Sequence, residues 1–256
     1  MSTAEIQTPP RERDGTTRLI GPPDHLGLPQ SDGRIVENLL EHPQGSVLSD
    51  SLWPILAAIH PDGQFCVGRD VGIYYKWVPD DLISGAIAPD WFYVPDVPPL
   101  LDGEYRRSYV LWKEVVPPLI VLEFASGDGS EERDRTPPKG KFWVYERAVR
   151  PAYYGIHVAE TDILEMYELH RGQLRRVEPN ARGRYPVPEL GVELGTWAGR
   201  IENLDATWMR WFLPDGRLLR SAREEIGIEF ARAEAETARA GRLSAQLRAL
   251  GVEPEA

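Results

Sequence analysis

Residues 117–126 read PPLIVLEFAS, and the fold turns on that stretch. Two prolines bound it on one side, and SGDGS at 126–130 supplies turn-forming residues on the other. A nearly continuous apolar run between such breakers is the pattern of a central strand buried on both faces, since a half-solvated strand would alternate. Its lone charge is Glu123. A carboxylate buried without a partner costs several kcal/mol, so Glu123 requires hydrogen bonds, an ion pair or a cation beside it.

Upstream, IAPDWFYVPDV at 87–97 contains a second strand, Trp91 to Val94, entered through Pro89-Asp90 and closed by Pro95-Asp96. FCVGRD (65–70) and GIYYKWV (72–78) read as two short strands. Leu48, Leu52, Ile55, Leu56 and Ile59 recur at steps of three and four. That spacing predicts a helix over Ser46–His60, capped by Ser46 or Ser49 and broken by Pro61-Asp62-Gly63. Beyond the polar loop 127–138, KFWVYERAV (141–149) has helical character and stops before Pro151. AYYGIHVAE (152–160), ILEMYEL (163–169) and LRRVE (174–178) are strand-like, the last two joined by HRGQ as a hairpin. Helix, strands, helix, strands in this order predict an α/β or α+β core with a mixed sheet flanked by helices.

The ends differ in character. Residues 1–33 are rich in Pro, Gly and charge without periodicity, which predicts a loosely ordered arm. Residues 185–219 hold Trp197, Trp208 and Trp211 among Pro and Gly and are expected to form an irregular lobe over the sheet. From Ser221 to Leu250 the chain is rich in Glu, Ala and Arg, and Ile226, Phe230, Ala233, Thr237, Ala240, Ser244 and Leu247 alternate steps of four and three. A long exposed helix follows from this pattern. Its seam of small residues leaves both a homodimer contact and a solvated single helix open. The expected partition is an arm at 1–33, one domain at 34–219 and a charged helical tail at 220–256.

Composition narrows the function. With 256 residues the chain fits one large domain with appendages, and 42% hydrophobic residues with 8 Trp suffice for a sizeable core. A net charge of -11 disfavours holding nucleic acid by bulk positive charge but permits a local basic groove. The single cysteine, Cys66, excludes an intramolecular disulfide framework and reads as a buried small hydrophobe. A reducing, cytoplasmic location is expected. MSTAEIQTPPRERDG lacks the apolar stretch of a secretory signal, and no window has eighteen uninterrupted apolar residues, so no membrane association is expected. The five histidines lack metal-ligand spacing. Phosphate-cradling loops, dinucleotide fingerprints and serine-nucleophile elbows are missing from the sequence.

What is left is a constellation of three. Asp90 stands at a strand entrance, Glu123 near the end of the apolar strand, and Lys141 at the start of the next helix. If the two strands are neighbours, the carboxylates meet at one sheet edge and form an oxygen site suited to Mg²⁺, with Mn²⁺ as a substitute. Lys141 would supply an ammonium that orients water or offsets transition-state charge, which is the chemistry of phosphodiester hydrolysis. Arg133, Arg135, Lys139, Lys141 and Arg147 cluster in sequence nearby, as a phosphate-binding patch or a solvated loop.

These residues resemble the Uma-two family of bacterial restriction endonucleases, within the PD-(D/E)XK nuclease superfamily. The resemblance runs from about Ser46 to Glu178. It rests on Pro89-Asp90, on Glu123 followed by Ser126, on Lys141 four residues before Tyr145, and on Tyr153-Tyr154 in the following strand. It implies a restriction-endonuclease-like core, Mg²⁺-dependent cleavage of DNA, metal binding by Asp90, Glu123 and the backbone carbonyl of Phe124, and Lys141 as the catalytic lysine. The superfamily's commonest form has Lys two residues after the acid, whereas Glu123-Phe124-Ala125 stands here, so the lysine must come from the helix. Many members carry another acid or His early in the upstream helix, a place that Asp50 or Glu37 could take. A catalytically silent scaffold that binds a protein through the C-terminal helix is the competing expectation.

Overall fold

The computed structural model describes residues 39–78, 81, 83–125, 127–159 and 161–250, so the expected arm at 1–33, Glu37 and Ser126 lie outside the described residues. In chain order the elements are α1 (Glu41–Ile59), β1 (Phe65–Gly68), β2 (Ile73–Tyr74), β3 (Ala86–Ile87), β4 (Trp91–Pro95), β5 (Tyr109–Val110), α2 (Leu111–Glu114) and β6 (Ile120–Ala125). There follow α3 (Lys141–Val144), β7 (Tyr153–Val158), β8 (Ile163–His170), β9 (Gln173–Val177), β10 (Tyr185–Val187), β11 (Val192–Ile201), β12 (Leu204–Phe212) and α4 (Ala222–Ala249). The fold is mixed α/β. Among the described residues no helix is long and apolar enough to cross a membrane.

The main sheet has the order β1-β4-β6-β7-β8-β9. Only β6 and β7 run parallel, as they must when a helical crossover joins them. The run read as a central strand is β6, buried at every position. Its alternation divides the core between the two faces of the sheet. Leu122 and Phe124 face α1 and the β10–β12 sheet, together with Leu48, Leu52, Trp91 and Trp211. Val121 and Ala125 face the other way, with Phe142, Val144, Tyr145 and Val149 of the crossover. Glu123 shares the parity of Val121 and Ala125, so the strand itself aims this carboxylate at the segment that begins with Lys141.

Three expectations need correction. The first helix starts at Glu41, not Ser46, and Leu40 caps it without a side-chain bond. Pro43 sits in its first turn, where the missing N–H has no intrahelical acceptor to lose. Ser49 is inside the helix, where its hydroxyl donates to the Gly45 carbonyl (3.0 Å) and accepts from the Trp91 indole (3.0 Å). The second correction separates the two short strands: β1 joins the main sheet, while β2 pairs with β3 and β5 in a small sheet of its own. Third, residues 185–219 are not irregular. They form the antiparallel sheet β10-β11-β12, with β11 and β12 paired from Glu193↔Phe212 to Ile201↔Leu204. The Pro and Gly residues that suggested a loop fall in its connections and in the strands beside tryptophans.

The hairpin between β8 and β9 is as expected. Arg171 and Gly172 both have positive φ, the backbone a two-residue turn with the twist of its strands requires. The segment expected to be a helix through Val149 is α-helical only to Val144 and closes as a π-helical turn, Tyr145–Val149, ending on left-handed Arg150.

Candidate active site

The site forms where β4 enters the sheet beside β6. These strands pair through Trp91↔Leu122. One step further the ladder stops, because Pro89 has no N–H to continue it. The Asp90 carboxylate takes over: its Oδ2 accepts the Phe124 backbone N–H. Continued one step, the same register sets Asp90 opposite Glu123, and the two carboxyls are near enough to act on each other's pKa. The strand-entrance acid and the apolar-strand acid therefore meet.

Lys141 and Tyr145 approach from the other side. A turn apart, they project from one face of the crossover. The Lys141 Nζ lies 3.3 Å from Glu123 Oε2, and the Tyr145 hydroxyl donates to Glu123 Oε1 at 2.5 Å. Gly140 makes the approach possible, since a Cβ there would lie 2.4 Å from the Asp134 carbonyl oxygen. No larger residue fits that turn.

Burial dominates the electrostatics. Glu123 is 1% exposed, and loss of water pushes its carboxyl up to about 8 against the opposing pull of Lys141; Asp90 adds to the rise. Burial likewise raises Asp90 to about 6, although the Phe124 N–H and Lys141 favour its charged form. Desolvation works against the Lys141 ammonium, but Glu123 and Glu132 outweigh it and raise its pKa. Lys141 is thus a fixed cation, and the two acids are a pair that resists carrying two charges unless positive charge is added.

Two acids escaped the sequence reading. Glu132 is buried, receives Lys141 at 3.0 Å on Oε1 and leaves Oε2 without a hydrogen-bond partner. Nothing in GDGSEERD separates it from its neighbour Glu131. Glu41, in the first turn of α1, is near enough to raise the Asp90 pKa. Asp50, one of the two candidates for the upstream place, is exposed. The helix start was placed five residues late, which hid Glu41. The expected basic patch is mostly neutralised: Arg133 bonds Glu165 at 3.0 Å, and Arg135 and Arg147 lie at 3.8 and 3.2 Å from Glu146. Arg69, by contrast, reaches Ser46 Oγ at 2.8 Å and has no carboxylate partner among the described residues.

Among the described residues no group of three or more His, Cys, Asp or Glu stands ready to hold a metal ion. The acids converge as a pair, and both are hard oxygen donors. That set fits a cation that takes one or two carboxylates and fills its other positions with carbonyl, water and substrate oxygens, as Mg²⁺ does.

The chain is thus a mixed α/β protein in which an acidic pair and a lysine come together beside β6. The model of the Uma2 family, described as a putative restriction endonuclease, matches residues 18–206, and the chain belongs to that family. The chain is similar to a crystal structure of a putative nuclease belonging to DUF820 from Anabaena variabilis, with 12% identity and a TM-score of 0.40 over 63% of this chain and 81% of that one. No curated protein matches the chain.

Proposed function

We propose that this protein is a divalent-metal-dependent endonuclease that hydrolyses phosphodiester bonds of DNA. The observation that carries this reading is the meeting of Asp90 and Glu123 at one sheet edge, with the Lys141 ammonium 3.3 Å from Glu123. Asp90, Glu123 and the Phe124 carbonyl would hold Mg²⁺, or Mn²⁺ in its place. When bound, such an ion withdraws charge from a phosphoryl oxygen and makes water a better nucleophile near neutral pH.

The protein's own groups do the rest. Asp90 pins the Phe124 N–H, which fixes the backbone whose carbonyl would face the ion. Tyr145 holds one oxygen of Glu123, so the carboxylate has one orientation. Lys141 stays protonated, which rules it out as a proton acceptor near neutral pH. Its task is to orient the attacking water and offset the negative charge that develops on the phosphoryl group. Glu132 keeps the ammonium in place from the far side. Arg69 is available for a backbone phosphate of the substrate.

Nicking of supercoiled plasmid in Mg²⁺ or Mn²⁺ tests the proposal. Wild-type protein is expected to cut, while Glu123→Ala and Lys141→Ala each lose at least about a hundredfold, the scale of one electrostatic group in a buried site. Equal rates for all three proteins would reject the assignment.

A further inference from the structure

Helix α4 has a fixed base. Ser221 and Glu224 form a reciprocal cap, the Ser221 N–H donating to Glu224 Oε2 at 2.7 Å. The same carboxylate takes both terminal nitrogens of the fully buried Arg210, at 2.9 and 2.7 Å. Beyond that first turn the helix leaves the body, and none of its residues is buried. At 1.5 Å per residue its 28 residues extend about 42 Å. Ile226 and Phe230 are 69% and 65% exposed, Leu243 and Leu247 50% and 38%. Ile226 and Phe230 at one end and Leu247 at the other lie on a seam with heptad spacing, and past its first turn the helix buries none of its residues, which describes an unpaired coiled-coil strand.

Its charges say what pairs with it. Past the first turn, the first half carries Glu229, Glu234 and Glu236 against Arg232, whose guanidinium is already shared with Glu229 and Glu236. The second half carries Arg239, Arg242 and Arg248 and no acid, and none of the three has a carboxylate partner among the described residues. The helix is acidic and then basic, so it complements itself only head to tail. A parallel pair would set acid beside acid and arginine beside arginine.

We propose that α4 is a homodimerisation element that pairs antiparallel with α4 of a second copy of this chain. A register with Phe230 over Leu247 of the second copy places Thr237 opposite Ala240. The small residues of the middle, Ala233, Thr237 and Ala240, let the backbones approach closely, while apolar pairs close the two ends. Glu234 and Glu236 then lie within two residues of positions facing Arg242 and Arg239 of the second copy. The contact is isologous, which is how most homo-oligomers close.

Analytical ultracentrifugation of the full chain tests this without reference to nuclease activity. The 28.9 kDa chain is expected to reach twice that mass as concentration rises. Reversing one half (Arg239→Glu, Arg242→Glu, Arg248→Glu) or the other (Glu229→Arg, Glu234→Arg, Glu236→Arg) gives monomers with unchanged near-ultraviolet circular dichroism, and an equal mixture restores the dimer. Orientation is read by oxidation. Phe230→Cys mixed with Leu247→Cys forms a covalent dimer, and neither does so alone. Cys66 does not interfere, because burial pushes its thiol up to about 11. A wild-type monomer at all concentrations, a dimer indifferent to charge reversal, or self-crosslinking of Phe230→Cys would each overturn the proposal.

Discussion

Glu123 was legible as an anomaly because a carboxylate inside LIVLEFAS has no bland explanation at the sequence level. What the sequence did not reveal was its company. Lys141 and Tyr145 could be named from the family resemblance, but Glu132 is indistinguishable from the solvated Glu131, and only the path of the loop puts it against Lys141. The raised Glu123 and Asp90 pKa values carry a sign for stability. Both lie above the unfolded values of 4.5 and 3.8, so the native state holds protons that the unfolded chain releases. The metal-free protein therefore keeps this stability below pH about 4 and loses it as pH rises toward 8. Thermal melts in chelator across pH 5–9 should show a decline on the order of 2–4 kcal/mol from these acids, flattened in Glu123→Gln and reversed by Mg²⁺. A melting temperature that climbs with pH in chelator would contradict the burial account.

Elements were read well where one face or both were fully apolar. The strands β4, β6 and β7 emerged with nearly their true ends, and α4 was placed to within a residue at each end, because its Glu-, Ala- and Arg-rich composition and its steps of four and three begin and end there. The misread elements are those fixed by partners far along the chain. The start of α1 is held by Gln44, whose amide donates to the Met209 carbonyl (2.9 Å) and accepts the Met209 N–H (2.8 Å), 165 residues away. Trp211 donates to the Leu48 carbonyl at 3.1 Å from the same sheet. No local pattern announces such bonds, so the helix start and the β10–β12 sheet were missed together. Since Gln44 bridges both elements, Gln44→Ala should leave buried backbone groups of β12 unpaired and cost about 1–3 kcal/mol in denaturant unfolding. A stability unchanged from wild type would show that this clamp contributes nothing.

At the scale of the whole molecule, the sheet order explains why the site lies where it does. Within the main sheet the one parallel pair among the described residues, β6 and β7, needs a crossover, and that crossover delivers Lys141 to the face on which Glu123 points. The antiparallel neighbour β4 delivers Asp90 to the same edge, and α1 sets Glu41 behind it. Three stretches of chain thus converge through topology, which the order of predicted strands and helices already suggested. The central claim is that they converge on a divalent ion. The most direct measurement is anomalous diffraction at the manganese edge from crystals soaked in Mn²⁺. The account predicts a single strong peak within coordination distance, about 2.0–2.2 Å, of Asp90 and Glu123 oxygens, and none in Glu123→Ala. Full occupancy elsewhere on the protein, with no peak between the two carboxyls, would contradict it.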